Sequence, residues 1–160
     1  MATTYEPIAT STLSGSTSET TFTSIPATYT DLRLIFVGSS ASQGIRVQFN
    51  GDTATNYSYT LLRGNGTTAT SSTTTTTQDI SLGSITSTYP SMLTCNVFSY
   101  AGSTCKITLN TAAEDLNGSG NVRGLVGLWR STSAITSLRI YGFSGSNITG
   151  TATLYGIKNA

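Results

Sequence analysis

From Thr21 onward the chain alternates short apolar runs with turn residues, spaced about ten to fifteen residues apart, which is the rhythm of a β-sandwich or barrel. Phe22 to Ile25 is brief and stopped by Pro26. Leu32 to Val37 (LRLIFV) is apolar everywhere but Arg33, the pattern of a central strand buried on both faces. Ile45, Val47 and Phe49 alternate with Arg46, Gln48 and Asn50, a half-buried strand. Asn50-Gly51 follows, two residues that tolerate positive φ and predict a tight turn. Tyr57, Tyr59 and Leu61 open a strand that ends at the turn Arg63-Gly64-Asn65-Gly66. Ile80 and Leu82 come next, then Met92 to Tyr100 and Cys105 to Leu109, paired about a turn at Ala101-Gly102-Ser103. Val122 to Trp129 contains Gly124 and Gly127, which permit a bulge or a close approach. Leu138, Ile140 and Phe143, and finally Ala152 to Ile157, close the pattern. Thr67 to Thr77 reads as an exposed loop or a polar edge strand. Ala112 to Leu116 (AAEDL) is the one plausible helical turn.

This count of about eight or nine strands predicts an all-β fold: a jelly-roll-like, two-sheet antiparallel sandwich of about eight strands. An immunoglobulin-like sandwich is the alternative, but the chain is long for it and lacks the Cys…Trp…Cys spacing. No fixed period points to a propeller or β-helix. Residues 1–20 are mostly Thr, Ser, Ala and Gly, with Tyr5, Pro7 and Ile8 as bulky anchors. They predict an extended N-terminal arm, flexible or laid along a partner, ahead of a sandwich domain over residues 21–160.

Composition sharpens this picture. A chain of 160 residues buries enough surface to fold without disulfides or metal. Charged residues make up only 9%, and Ser and Thr fill about a third of the chain. The eight cations are scattered singly, which argues against a nucleic-acid partner. A surface this poor in charge predicts that part of it is covered by another protein, because charge is depleted at interface cores. No apolar run is long enough for a membrane helix, and MATTYEPIATSTLSG lacks the features of a secretory signal. The sequons at Asn56, Asn65, Asn117 and Asn147 are what chance supplies in so Ser/Thr-rich a chain. Cys95 and Cys105 read as two buried thiols rather than a disulfide.

The search for chemistry returns little. There is no histidine, so Ser-His-Asp and Cys-His catalysis and histidine-containing zinc sites are out. Glu114-Asp115 is the only adjacent carboxylate pair and reads as a solvated turn; it would be the acid pair of a glycan-active enzyme, were there one. Asn50-Gly51-Asp52 lacks the spacing of a calcium loop, and Gly64-Asn65-Gly66 lacks that of a phosphate loop. Phe36, Phe49, Phe98 and Trp129 read as core, whereas Tyr5, Tyr29, Tyr57, Tyr89 and Tyr100 fall near strand ends or loops, where such rings serve interfaces. The expectation is a binding or structural domain, not an enzyme, with no cofactor and no metal.

Three segments carry a resemblance. They are Phe22-Thr23-Ser24-Ile25-Pro26-Ala27-Thr28-Tyr29-Thr30-Asp31-Leu32, then Phe49-Asn50-Gly51-Asp52 with Asn56-Tyr57-Ser58, and Leu154-Tyr155-Gly156-Ile157. In this order and spacing they resemble a group of tailed-bacteriophage virion proteins found as capsid decoration (cement) proteins and as fibre domains. The resemblance implies jelly-roll or sandwich subunits, often trimeric, bound to a capsid or fibre, with no catalytic residue. The expected role is capsid decoration: a protein assembled in the host cytoplasm onto the outer capsid surface, with the major capsid protein and itself, as a homotrimer, for partners, and neither nucleic acid nor membrane. Tyr5, Pro7 and Ile8 would anchor the arm. The alternative is a tail- or head-fibre domain that binds a host receptor or glycan through end loops including Thr67 to Thr77.

Overall fold

Apolar residues at every second position build strands, and the computed structural model, which describes residues 4–41, 44–86 and 88–158, has twelve of them. They are β1 (Tyr5–Thr17), β2 (Glu19–Phe22), β3 (Asp31–Ser40), β4 (Ile45–Phe49), β5 (Tyr57–Gly64) and β6 (Ala69–Thr77). The second half holds β7 (Ile80–Gly83), β8 (Ser91–Phe98), β9 (Lys106–Glu114), β10 (Asn121–Trp129), β11 (Leu138–Gly142) and β12 (Ile148–Ile157). All pairings are antiparallel. One sheet runs β1-β12-β3-β8-β9-β10-β5-β6 and the other β2-β11-β4-β7.

The pairings are nested. β1 pairs with β12, β2 with β11, β3 with β8 and β4 with β7. A long two-stranded ribbon rolled on itself gives this order, which is the winding of a jelly roll. These eight strands make the roll, and the total of twelve exceeds the expected eight or nine because β1, expected as an arm, and β6 are also strands. The other four are two hairpins: β5–β6, inserted between β4 and β7, and β9–β10, inserted between β8 and β11. They join through β10–β5 and extend one sheet into a four-stranded wing. The core between the sheets includes Leu32, Leu34, Phe36, Ile45, Val47, Phe49, Leu93, Val97, Leu138, Ile140 and Leu154, all at most 1% exposed.

Several expectations change. Ala112–Leu116 does not form a helical turn, because β9 continues to Glu114, with Ala113 opposite Val122 and Glu114 opposite Asn121. A five-residue helix cannot repay its nucleation, whereas ladders on both sides satisfy the strand's backbone. Thr67–Thr77 takes the edge-strand alternative over Ala69–Thr77. Leu32–Val37 is central, but only one of its faces is buried: Val37 is exposed. Phe98 is also exposed, outside the core. Tyr57 and Tyr100 are fully buried instead of lying at an interface. Both cysteines are free; Cys95 is buried, its thiol pushed up to about 12 by burial, but Cys105 is exposed. Within the expected arm, residues 1–3 lie outside the described residues, as do 159–160 of the domain. Over 5–17 the chain is extended, but it lies along its own β12, not apart from the sandwich. There it occupies an edge whose backbone groups would otherwise stand open.

The segments that carry the resemblance have structural work in common. At one corner the chain turns through Asn50 (φ 52°) and Gly51 (φ 67°), and the Asp52 N–H donates to the Phe49 carbonyl at 2.9 Å. Tyr57 braces this turn, its hydroxyl accepting from the Phe49 N–H at 3.1 Å and donating to the Asp52 carbonyl at 3.1 Å. The Asn50 side chain holds the 130–137 loop, donating to the Ala134 carbonyl at 2.8 Å and accepting from the Thr136 and Ser137 N–H groups at 2.8 and 3.1 Å. At the other corner a side chain at Gly156 would strike the Tyr29 ring, and the Tyr100 hydroxyl donates to the Pro26 carbonyl.

Burial pushes the Asp52 carboxyl pKa up, but hydrogen bonds from Asn56 Nδ2, the Trp129 indole and the Ala54 N–H together outweigh it and hold it below the ordinary value. A depressed native pKa stabilises the fold above the unfolded carboxyl's pKa, and that stability is lost as pH falls through the native value. Asp52→Asn is therefore expected to cost about 1–2 kcal/mol at neutral pH and to flatten the acid limb of stability against pH, read by urea unfolding from about pH 2 to 6. An unchanged acid limb would show that Asp52 is not one of its sources.

Candidate functional site

The wing and the adjoining β8 carry most of the exposed large apolar side chains of the described residues. Cross-strand register sets their outward side chains in four rows across β8, β9, β10 and β5. The rows are Met92, Ala113, Val122 and Gly64; Thr94, Thr111, Gly124 and Leu62; Asn96, Leu109, Val126 and Thr60; Phe98, Ile107, Leu128 and Ser58. β6 adds Ala69, Ser71 and Thr73 beside the first three rows. None of these positions holds an ionisable acid or base. Met92, Phe98, Ile107, Leu109 and Val126 are all close to half exposed, and Leu62 and Val122 are 61% and 64% exposed. Aliphatic side chains left in water forgo roughly 25 cal/mol for each Å² that burial would remove, so a field of them is a candidate binding surface.

The polar members of the face do little to wet it. Thr94 and Thr111 hydroxyls bond each other at 2.6 Å, and Thr60 and Thr73 do so at 3.2 Å. Each pair meets part of its own hydrogen-bonding need without water. Two depressions notch the surface. One, of about 340 Å³, lies among Thr60, Thr73, Thr75, Ile107, Val126 and Leu128. The other, of about 390 Å³, is lined by Leu62, Ala69, Thr111, Val122 and Gly124 and also reaches Arg63 and Arg123.

The face exists because β9 is inverted. Its inward positions are Lys106, Thr108, Asn110, Ala112 and Glu114, while Ile107 and Leu109 face solvent. The polar inner row is partly satisfied locally: Asn110 Nδ2 donates to Thr108 Oγ1 at 3.1 Å, and the Lys106 ammonium donates to the carbonyls of Gly102 at 2.7 Å, Thr104 and Thr132 at 3.5 Å, while Asn110 Oδ1 and Glu114 Oε2 are buried without a hydrogen-bond partner. Burial pulls the Lys106 pKa below its ordinary value. Alternation revealed this strand's period but not its phase, so the exposed residues went unrecognised as surface. The one available signal was the polar set Lys106, Thr108 and Asn110 sharing a parity.

The anchors named from the sequence fall elsewhere. Tyr5 and Pro7 are exposed on β1, at the far edge of the same sheet. Tyr5 packs edge-on against Tyr155, ring centroids 6.5 Å apart, and its hydroxyl accepts from Arg33 at 3.4 Å. Ile8 sits at a register shift between Pro7 and Ala9 and packs against the core. Glu114 and Asp115 do not act as a pair. Glu114 is buried and accepts from Asn121 Nδ2 at 2.8 Å, whereas Asp115 accepts from the Gly118 N–H at 3.0 Å within a turn. Among the described residues no three His, Cys, Asp or Glu side chains come together to hold a metal, and no helix is long and apolar enough to cross a membrane. In comparisons with known proteins, no family model, curated protein or solved structure matches the chain.

Proposed function

We propose that this protein is a structural component of a tailed-bacteriophage virion, a decoration protein that presses the uncharged face of its wing against neighbouring subunits on the outside of the head. The observation that carries the reading is that face: apolar, notched and free of charge, on a chain where residues able to do chemistry are scattered or already engaged. The three-segment resemblance supplies the setting, with the major capsid protein and further copies of this chain, as a trimer, for partners. Many such contacts, each modest in area, clamp a lattice through avidity. Tyr5 and Pro7 extend the contact at the far edge of the sheet.

The test is decoration of particles that lack the protein, using wild type and Val126→Arg. Val126 points outward, so the variant keeps its fold, but a charge at the centre of the face is desolvated on docking. Occupancy is expected to fall at least about tenfold, with hundreds of wild-type copies per particle. Wild-type occupancy by Val126→Arg would sink the assignment of the face. A copy number of tens or fewer would move the protein to a fibre.

A further inference from the structure

The inner face of the wing holds two cations where the fold should avoid them. β5 and β10 set Arg63 directly opposite Arg123. Like charges facing each other across an antiparallel pair are destabilising. Most of the other cations have an ion-pair or hydrogen-bond partner, although Arg33 Nε and Arg46 Nε, like Arg123 Nε, are buried without one. Arg139 binds Glu19 and donates to Gln48 Oε1 at 2.8 Å, Lys158 donates to Glu6 at 2.9 Å, and Arg46 lies 3.8 Å from Asp79 and donates to the Tyr59 hydroxyl at 3.1 Å. Arg130 is held by the carbonyls of Thr55, Tyr57 and Thr75.

The facing pair is less fully matched, with one carboxylate, Glu114, for its two guanidinium groups. Arg63 Nε donates to Asn121 Oδ1 at 2.7 Å, which fixes the guanidinium plane, and that is its one hydrogen bond among the described residues. Arg123 makes none: its nearest carboxylate oxygen, Glu114 Oε1, is 3.9 Å away and already accepts from Asn121. Arg123 Nε is buried with no partner. Two guanidinium groups thus stand against one carboxylate, leaving an excess positive charge in a half-buried setting where water screens it weakly. Burial first, then Arg63, pulls the Arg123 pKa below its ordinary value, and Glu114 opposes them.

We propose that Arg63 and Arg123 form an oxyanion-binding site, taking a phosphate or carboxylate group between their two guanidinium forks. Planar forks with free terminal N–H groups match such anions in paired hydrogen bonds. A bound oxyanion would offset the repulsion between the two facing guanidinium groups. Asn121 acts as the positioning residue, orienting Arg63 through one end of its amide and Glu114 through the other. The site does not depend on the outer face, so each stands or falls alone.

The test is a titration of the ¹⁵N-labelled protein with sodium phosphate and, separately, sodium acetate, against sodium chloride at equal ionic strength, following the arginine Nε–H resonances. Saturable shifts of Arg63 and Arg123, with Arg130 and Arg139 unmoved, are expected from at least one anion; the stronger one names the ligand class. Arg63→Gln should weaken the apparent affinity by about tenfold, with Arg63→Lys intermediate. Shifts that track ionic strength alone, or that move every arginine alike, would overturn the proposal. So would a folded Arg63→Gln that binds as wild type. Should Arg63→Gln fail to fold, the wild-type titration still decides.

Discussion

Trp129→Ala is expected to lower the unfolding free energy by about 3–5 kcal/mol, the usual cost of emptying a large aromatic site in a packed core. Trp129 is 2% exposed. Its ring lies 6.2 Å from that of Tyr57 in a stacked arrangement and 5.5 Å from that of Phe49. The indole N–H donates to Asp52 Oδ2 at 2.7 Å, so truncation opens a cavity and also removes a donor from the carboxylate that fastens the Asn50-Gly51 corner. Trp129→Phe separates the two effects, keeping much of the packing and losing the hydrogen bond, for about 1–2 kcal/mol. Trp129 is the only tryptophan, so urea unfolding must be followed by far-ultraviolet circular dichroism, not indole fluorescence. A loss below about 1 kcal/mol for the alanine variant would show that this corner is dispensable to the fold.

Lys106→Met should cost a comparable amount, about 3–5 kcal/mol. Two terms compete. Removing a buried charge relieves desolvation, and methionine fills similar space. Against that, the carbonyls of Gly102, Thr104 and Thr132 each lose their ammonium donor inside the protein. A buried ion pair replaced entirely by apolar groups is often neutral, but here only the donor leaves and the acceptors stay, so the loss dominates. The alkaline pH dependence gives a second readout. Because the native Lys106 pKa is lowered, the unfolded chain binds more protons between that value and the ordinary one of 10.5. Stability contributed by this group therefore rises with pH across that window. The difference between wild type and Lys106→Met isolates that rise from the titration of the tyrosines, and equal alkaline profiles would refute a buried, charged Lys106.

Much of the roll was legible. Val47 and Phe49, Leu32 and Leu34, and Leu138 and Ile140 mark strands by alternation, and Asn50-Gly51 marks a corner by the φ it permits. These signals are local, and the physics behind them is local. The wing's strands β5, β9 and β10 were legible as apolar runs, but its outward face and strand order were not, for two reasons. Alternation cannot say which parity faces inward, and on β9 local hydrogen bonds to Lys106 and Asn110 reverse the usual answer. The second reason is pairing. That Arg63 faces Arg123, or that Tyr29 rests on Gly156, is decided by strand order across distant parts of the chain. β1 was missed as a sheet member because its Thr- and Ser-rich sequence offers few apolar residues; it joins by backbone pairing along β12.

The nested ribbon also dictates when the protein can fold. β12 lies between β1 and β3, and β11 lies between β2 and β4. Each sheet therefore has, as an interior strand, a segment far along the sequence from the strands it joins. Until these pair, β1 through β4 cannot complete either layer, and their edges stand open to other chains. A roll closed in this way is slow to fold by topology, because its decisive contacts join strands more than a hundred residues apart.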